Sequence, residues 1–230
     1  MTPINPTRHL EVFQPETFDQ TRIDVIGVGA TGSKIALELA KLGVKNLHAW
    51  DFDKIESHNI ANQAFGINQS DMYKITALKR NLIRDTGLEV VVHKDKADGS
   101  QTLGSVVFIA VDTMSSRKQI WKYIKFNPHI QVAIETRMGK DQGRIYTINP
   151  LDSEHVRLYE ATLYTDDEVS SVSACGASTT VGATATTIAG LAVWQFIKWF
   201  NIQNGKSENQ LGNEIIITLD PLQSIVNHFG

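Results

Sequence analysis

Cysteine is almost absent. Cys175 is the only one, so an internal disulfide and a four-cysteine zinc site are both excluded, and a lone thiol fits a reducing compartment. An excess of basic charge is missing too: the formal net charge is -3 and the isoelectric point about 6.2, which leaves no overall positive field to hold nucleic acid. The opening stretch from Met1 to Glu16 carries Pro3, Pro6, Arg8 and Glu11 and has no apolar run, so no secretory signal is expected and the reading is cytoplasmic. Charge is also missing from Val169 to Ile197, but the first half of that segment is rich in serine and threonine and only Ile188 to Phe196 is strongly apolar. That composition predicts a buried helix or a subunit interface, not a membrane span. What remains is ordinary: 42% hydrophobic and 20% charged residues across 230 positions exclude disorder and predict a single globular domain over 1–230. Residues 1–20 read as an N-terminal extension of it.

The chain alternates short β-rich runs with helical patterns. Arg22 to Val28 stops at a glycine, Ser33 to Leu42 repeats apolar residues at helical spacing, and Asn46 to Asp51 forms a second strand-like run ending on a carboxylate. The rhythm continues through a helix in Asp71 to Asp85, strands in Leu88 to His93 and Val106 to Val111, a helix in Met114 to Phe126, and strands in Ile130 to Glu135 and Arg144 to Ile148. Gly139 and Gly143 place a turn between the last two, which makes them antiparallel. Residues 151–177 lack periodicity and read as a mobile crossover loop, 178–200 as a long helix, and Glu214 to Leu219 as a final strand. The expected fold is α/β and Rossmann-like: a mostly parallel sheet, helices on both faces, and an antiparallel C-terminal extension.

Gly27, Gly29 and Gly32 stand between the first strand and its helix, where glycine lets the backbone turn tightly and brings amide groups and a helix N-terminus against phosphate. Asp51, at the tip of the next strand about twenty residues on, is placed to accept ribose hydroxyls. These residues specify a nucleotide without saying which one, and a glycine turn made only for packing remains the bland reading.

The polar run from Asp51 to Gln63 is unlike the simple helix that a dehydrogenase places there. Here the chain resembles the ThiF/MoeB/HesA family, the adenylyltransferase core shared with ubiquitin-activating enzymes, whose pattern is approximately Asp-x-Asp-x-Val-x-x-Ser-Asn-Leu-x-Arg-Gln. Asp51, Asp53, Asn59 and Gln63 match it, with Ile55 and Ile60 as aliphatic equivalents. The resemblance extends to Lys74, where the family carries a lysine, to Asp112, where it carries a strand-end aspartate, and to Cys175, which leads a helix ending Ile197-Lys198. It implies an ATP site in which Lys74 neutralises the triphosphate and Asp112 holds Mg²⁺. It also implies that Cys175 is a possible thiol for later covalent chemistry; the paired Cys-x-x-Cys zinc motifs of many relatives are absent, since Cys175 is the only cysteine, so no zinc is expected. Read alone, Lys74 is a solvated helix residue and Asp112 a helix cap.

The implied activity is ATP-dependent adenylation of a C-terminal carboxylate on a ubiquitin-like or sulfur-carrier protein, with release of pyrophosphate. The implied assembly is a homodimer; Trp194, Phe196, Trp199 and Phe200 look exposed, although such aromatics are more often ordinary core residues on an apolar helix, and neither nucleic acid nor a membrane is an expected partner. One position departs from the pattern. The family's arginine before Gln63 is here Asn62, which has no charge and cannot form a bidentate fork on phosphate. Arg8 from a partner subunit is a candidate for comparable service. Two other readings stay open: a nucleotide-binding partner module with weakened turnover, and a nicotinamide-dependent oxidoreductase, which the glycine motif alone allows.

Overall fold

Hydrophobic runs flanked by glycine and polar turns set the element order in the computed structural model, which describes residues 4–5, 7–18, 20–165 and 180–229. The first half holds β1 (Ile23–Ile26), α1 (Gly32–Lys41), β2 (Leu47–Trp50), α2 (Lys74–Thr86), β3 (Val91–His93), β4 (Val106–Ile109), α3 (Met114–Ile124) and β5 (Val132–Met138). There follow β6 (Gln142–Ile148), α4 (Ser153–Glu160), α5 (Gly182–Gln203), β7 (Glu214–Leu219) and β8 (Leu222–Asn227). The strands form one sheet in the order β3-β2-β1-β4-β5-β6-β7-β8. The first five in that order pair in parallel and the last three pairings are antiparallel.

Every residue of β1 (IDVI) and of β4 (VVFI) is buried, as strands covered on both faces require. On one face α1, α2 and α5 share a core through Ile35, Leu39, Leu78, Leu82, Ile188 and Phe196. On the other, α3 and α4 share a smaller one through Ile120, Trp121, Ile124, Val156 and Tyr159. The α/β expectation holds, with helices on both faces. Because β1 lies between β2 and β4, with Ile26 opposite both Trp50 and Ile109, the residues following these three strands emerge side by side. That is the point where strand order reverses, and where open α/β sheets bind ligands.

Three expectations need correction. Residues 151–177 are not all loop: α4 forms within them, capped by Asp152, whose Oδ1 accepts from the N–H groups of Glu154 and His155 at 2.8 and 3.1 Å. Its inward face is only Val156 and Tyr159, too little for periodicity to show. The long helix begins at Gly182, not at residue 178, and runs to Gln203. A further strand, β8, follows Glu214–Leu219 after a turn at Asp220-Pro221, and its six residues are all exposed, so it lacks the alternation that marks a strand in sequence. Of the α5 aromatics, Trp194 is exposed, whereas Phe196, Trp199 and Phe200 are core residues, and Phe13 and Phe18 from the N-terminal segment pack on Phe196 and Phe200. No helix among the described residues is long and apolar enough to cross a membrane.

Candidate functional site

The glycine loop divides its labour. Gly27 has φ +88°, and a Cβ there would stand 2.7 Å from the carbonyl oxygen of Ala110 at the end of β4; at Gly32 it would stand 1.9 Å from the carbonyl of Gly27. Both are required by the fold. Gly29 is not: a Cβ there would meet nothing within 4 Å among the described residues. Its smallness leaves the backbone open to a group from outside, as close approach of phosphate to loop amides demands.

Asp51 ties this loop to the next strand. Its Oδ2 accepts from the Val28 N–H at 2.7 Å and its Oδ1 from the Asp53 N–H at 2.8 Å. Burial raises its pKa, and the nearby Lys74 ammonium and the two amide bonds partly oppose that rise. Lys74 opens α2 and is buried, with Nζ donating to Asp53 Oδ2 at 2.8 Å while its own backbone N–H bonds the Asp53 carbonyl at 3.0 Å. It is not a solvated helix residue. Together the loop, Asp51, Asp53 and Lys74 form one bonded set at the carboxyl ends of β1 and β2.

The other residues expected in the site are placed less uniformly. Asn59 and Gln63 lie on one short helical turn and pair through their side chains, Gln63 Nε2 donating to Asn59 Oδ1. The Nδ2 of Asn62 donates to Thr180 Oγ1, bracing this segment against the approach to α5. The carbonyl oxygens of the Asn62 and Gln63 side chains, Oδ1 and Oε1, are buried and lack a hydrogen-bond partner among the described residues. These acceptors, with the open Gly29, suit a polar ligand rather than a packed turn. Asp112 is exposed, two residues past the Ala110 carbonyl that touches Gly27. It does not cap α3; Thr113 does, accepting from the Ser116 N–H at 3.2 Å. No group of three metal-ligating side chains occurs among the described residues. A single carboxylate suits Mg²⁺, which takes one or two carboxylates and completes its shell with water and substrate phosphate. Cys175 lies outside the described residues.

Two features of the site escaped the sequence reading. Lys34, in the first turn of α1, donates from Nζ to the backbone carbonyl of Asn62 at 2.5 Å, and burial lowers its pKa. Thr31 Oγ1 meets Thr136 Oγ1 of β5 at 3.1 Å, linking the loop to a buried cluster of Arg117, Glu135 and Arg137. Neither had a sequence signal: Lys34 is one of three charged residues on α1, with Glu38 and Lys41, and the threonine contact joins residues 105 positions apart.

A family model described as "ThiF family" matches residues 8–225. The chain belongs to the ThiF family. Among curated relatives it is 33% identical over 109 residues to the NEDD8-activating enzyme E1 catalytic subunit of Arabidopsis thaliana, a match covering 44% of this chain and 24% of that one. It is 27% identical over 154 residues to ubiquitin-like modifier-activating enzyme 5 of Caenorhabditis elegans, covering 59% of this chain and 36% of the relative. The match thus spans well under half the length of either relative. Among solved structures, MccB of E. coli in complex with N-formylated MccA superposes with a TM-score of 0.75 at 16% identity, over 96% of this chain and 67% of that one. PaaA superposes with a TM-score of 0.72 at 19% identity, over 94% and 66%. These likenesses carry the ThiF fold over nearly the whole chain.

Proposed function

We propose that this ThiF-family chain uses ATP to adenylate the C-terminal carboxylate of a small ubiquitin-like or sulfur-carrier protein. The observation that carries the reading is the bonded set of glycine loop, Asp51, Asp53 and Lys74 at the point where strand order reverses, with Gly29 open above it. The loop amides and the N-terminus of α1 receive the phosphates, where aligned N–H groups and the helix dipole favour negative charge. Asp51 and Asp53 orient the ribose, since each carboxylate oxygen has a lone pair beyond the bond it already makes. Asn59, Asn62 and Gln63 line the same site, and the Lys74 ammonium offsets charge on the triphosphate. Asp112 is the residue that would hold Mg²⁺, which would supply positive charge against the leaving pyrophosphate. The carrier's carboxylate oxygen attacks the α-phosphorus as the bond from that phosphorus to the bridging oxygen breaks. An acyl-adenylate and pyrophosphate result, with no net proton transfer.

Support for the partner class comes from the relatives, one named as a NEDD8-activating enzyme and one as a ubiquitin-like modifier-activating enzyme, and from MccB, whose structures hold ATP or MccA. The proposed assembly is a homodimer. The exposed Trp194 and the outer edge of the sheet at Leu222, Ile225 and Val226 supply apolar surface for it, and light scattering of the purified chain reads the mass directly. Arg8, exposed near the N-terminus, is the residue a partner subunit could lend, and Cys175 is the thiol available to any later thioester or sulfur step.

Asn62 favours a second reading, an ATP-binding module with weakened turnover, because its side chain is committed to Thr180 and bears no charge. Exchange of labelled pyrophosphate into ATP separates the two. With Mg²⁺ and small carrier proteins ending in Gly-Gly, the enzyme reading expects carrier-dependent exchange that falls at least about a hundredfold in Lys74→Ala and in Asp112→Ala. ATP binding without exchange for every carrier tried would establish the module instead.

A further inference from the structure

Two lysines stand at the loop, and their electrostatic situations differ. Lys74 is committed to Asp53 at 2.8 Å, so its charge is largely balanced before any ligand arrives. Lys34 has no carboxylate partner among the described residues; its one protein acceptor is the neutral carbonyl of Asn62, and burial alone lowers its pKa. A half-buried ammonium with no counter-charge carries a desolvation cost that a carbonyl only partly offsets. A bound anion removes that cost.

Its position gives the anion's identity. Lys34 lies two residues past Gly32, in the turn whose backbone begins at the loop: the Ser33 N–H bonds the Gly29 carbonyl at 3.1 Å and the Lys34 N–H bonds that of Thr31 at 3.1 Å. The acceptor that fixes the ammonium is itself fixed. Asn62 donates its own N–H to the Asn59 carbonyl at 3.2 Å and its side chain to Thr180, while Ser33 Oγ accepts from the Ala64 N–H at 3.1 Å, locking the segment 59–64 against α1. Asn62 is therefore a brace. The charge that its side chain lacks stands one hydrogen bond away, on a different element.

We propose that Lys34 is a second cation, beside Lys74, that binds the outer phosphates of ATP, its ammonium aimed by the Asn62 carbonyl. This rests on the nucleotide reading above and adds the residue that makes it electrostatically complete.

The test is calorimetric titration of the purified chain with ATP and with AMP, each with Mg²⁺, for wild type, Lys34→Met, Lys34→Gln and Lys34→Arg. Lys34→Met and Lys34→Gln are expected to weaken ATP by about tenfold or more, the scale of one charge-assisted hydrogen bond, and AMP by less than about twofold. Lys34→Arg should keep most of the ATP affinity, and adding Asn62→Arg to Lys34→Met should recover it. Lys34→Gln retains a donor for the Asn62 carbonyl, so it keeps the test sound if Lys34→Met does not fold. Equal weakening of ATP and AMP would mean that Lys34 only braces the loop, and the proposal would be wrong. Unchanged ATP binding in both neutral variants would overturn it as well, leaving the nucleotide reading intact. A wild-type chain that binds neither nucleotide would overturn both.

Discussion

Two clusters of carboxylates and cations lie within the same sheet, and they are built to opposite rules. At β5, Glu135 is 1% exposed and fully satisfied: Arg117 Nε reaches its Oε1 at 2.5 Å, Arg137 holds both oxygens at 2.9 Å, and the Tyr159 hydroxyl donates to Oε2 at 2.8 Å. At the end of β2, Asp51 uses each oxygen once, Asp53 is half exposed, and among the described residues Lys34 finds only a carbonyl. A saturated network holds structure and has no capacity left for a ligand. The under-satisfied cluster carries a standing electrostatic cost, which is reasonable only where a polar, charged molecule binds.

The comparison is broken most severely at Glu135. Glu135→Gln removes the charge shared by two buried arginines and is expected to lower stability by about 3 to 5 kcal/mol, read by urea unfolding at neutral pH. Titrating the same measurement from pH 7 downward adds a second contrast, because the pKa values of Glu135 and Asp51 are shifted in opposite directions. Burial alone would raise the Glu135 pKa, but Arg117, Arg137 and the bonds from Arg137 and Tyr159 overcome it and hold the carboxyl below its ordinary value of 4.5. Its contribution is therefore full above 4.5 and lost as pH falls through the depressed folded value, so wild type and Glu135→Gln should converge in acid. Asp51 is raised above 3.8 by burial, so the folded state binds its proton more tightly and Asp51 costs stability as pH rises from 3.8 through the raised value. Asp51→Asn should gain on wild type over that interval. Parallel curves for the two variants would show that the clusters are not different in kind.

How far these clusters were legible in sequence follows from the distance between their parts. The loop at Gly27 to Gly32 and the run from Asp51 to Gln63 are local patterns, each on one stretch of chain, and both lie where the spacing implied. The parallel strands were equally plain, because runs such as VVFI are buried on both faces and continuously apolar. Lys34 was invisible because its meaning depends on a carbonyl 28 residues away, and a carbonyl has no sequence signature. The Glu135 network was hidden for the same reason: Arg117 is on α3, Tyr159 on α4, and nothing in either segment announces a shared carboxylate. β8 failed differently, since an edge strand exposed at every position has no face to reveal.

The gentlest test of the comparison uses two glycines of one loop. Gly27→Ala meets a positive φ and a carbonyl 2.7 Å away, so it breaks the loop itself and tells nothing about ligands. Gly29→Ala meets open space, and no left-handed backbone has to be abandoned. If Gly29 is small only for the sake of an approaching phosphate, the added methyl should change folding stability by less than about 0.5 kcal/mol, since it packs against nothing and creates no strain. ATP affinity, measured by the same titration used for Lys34, should nonetheless fall by about tenfold, because one methyl between amide and phosphate lengthens several hydrogen bonds at once. A loss of stability without a loss of affinity would reassign Gly29 to the fold, and the loop would then resemble the saturated cluster at β5 more than an open binding site.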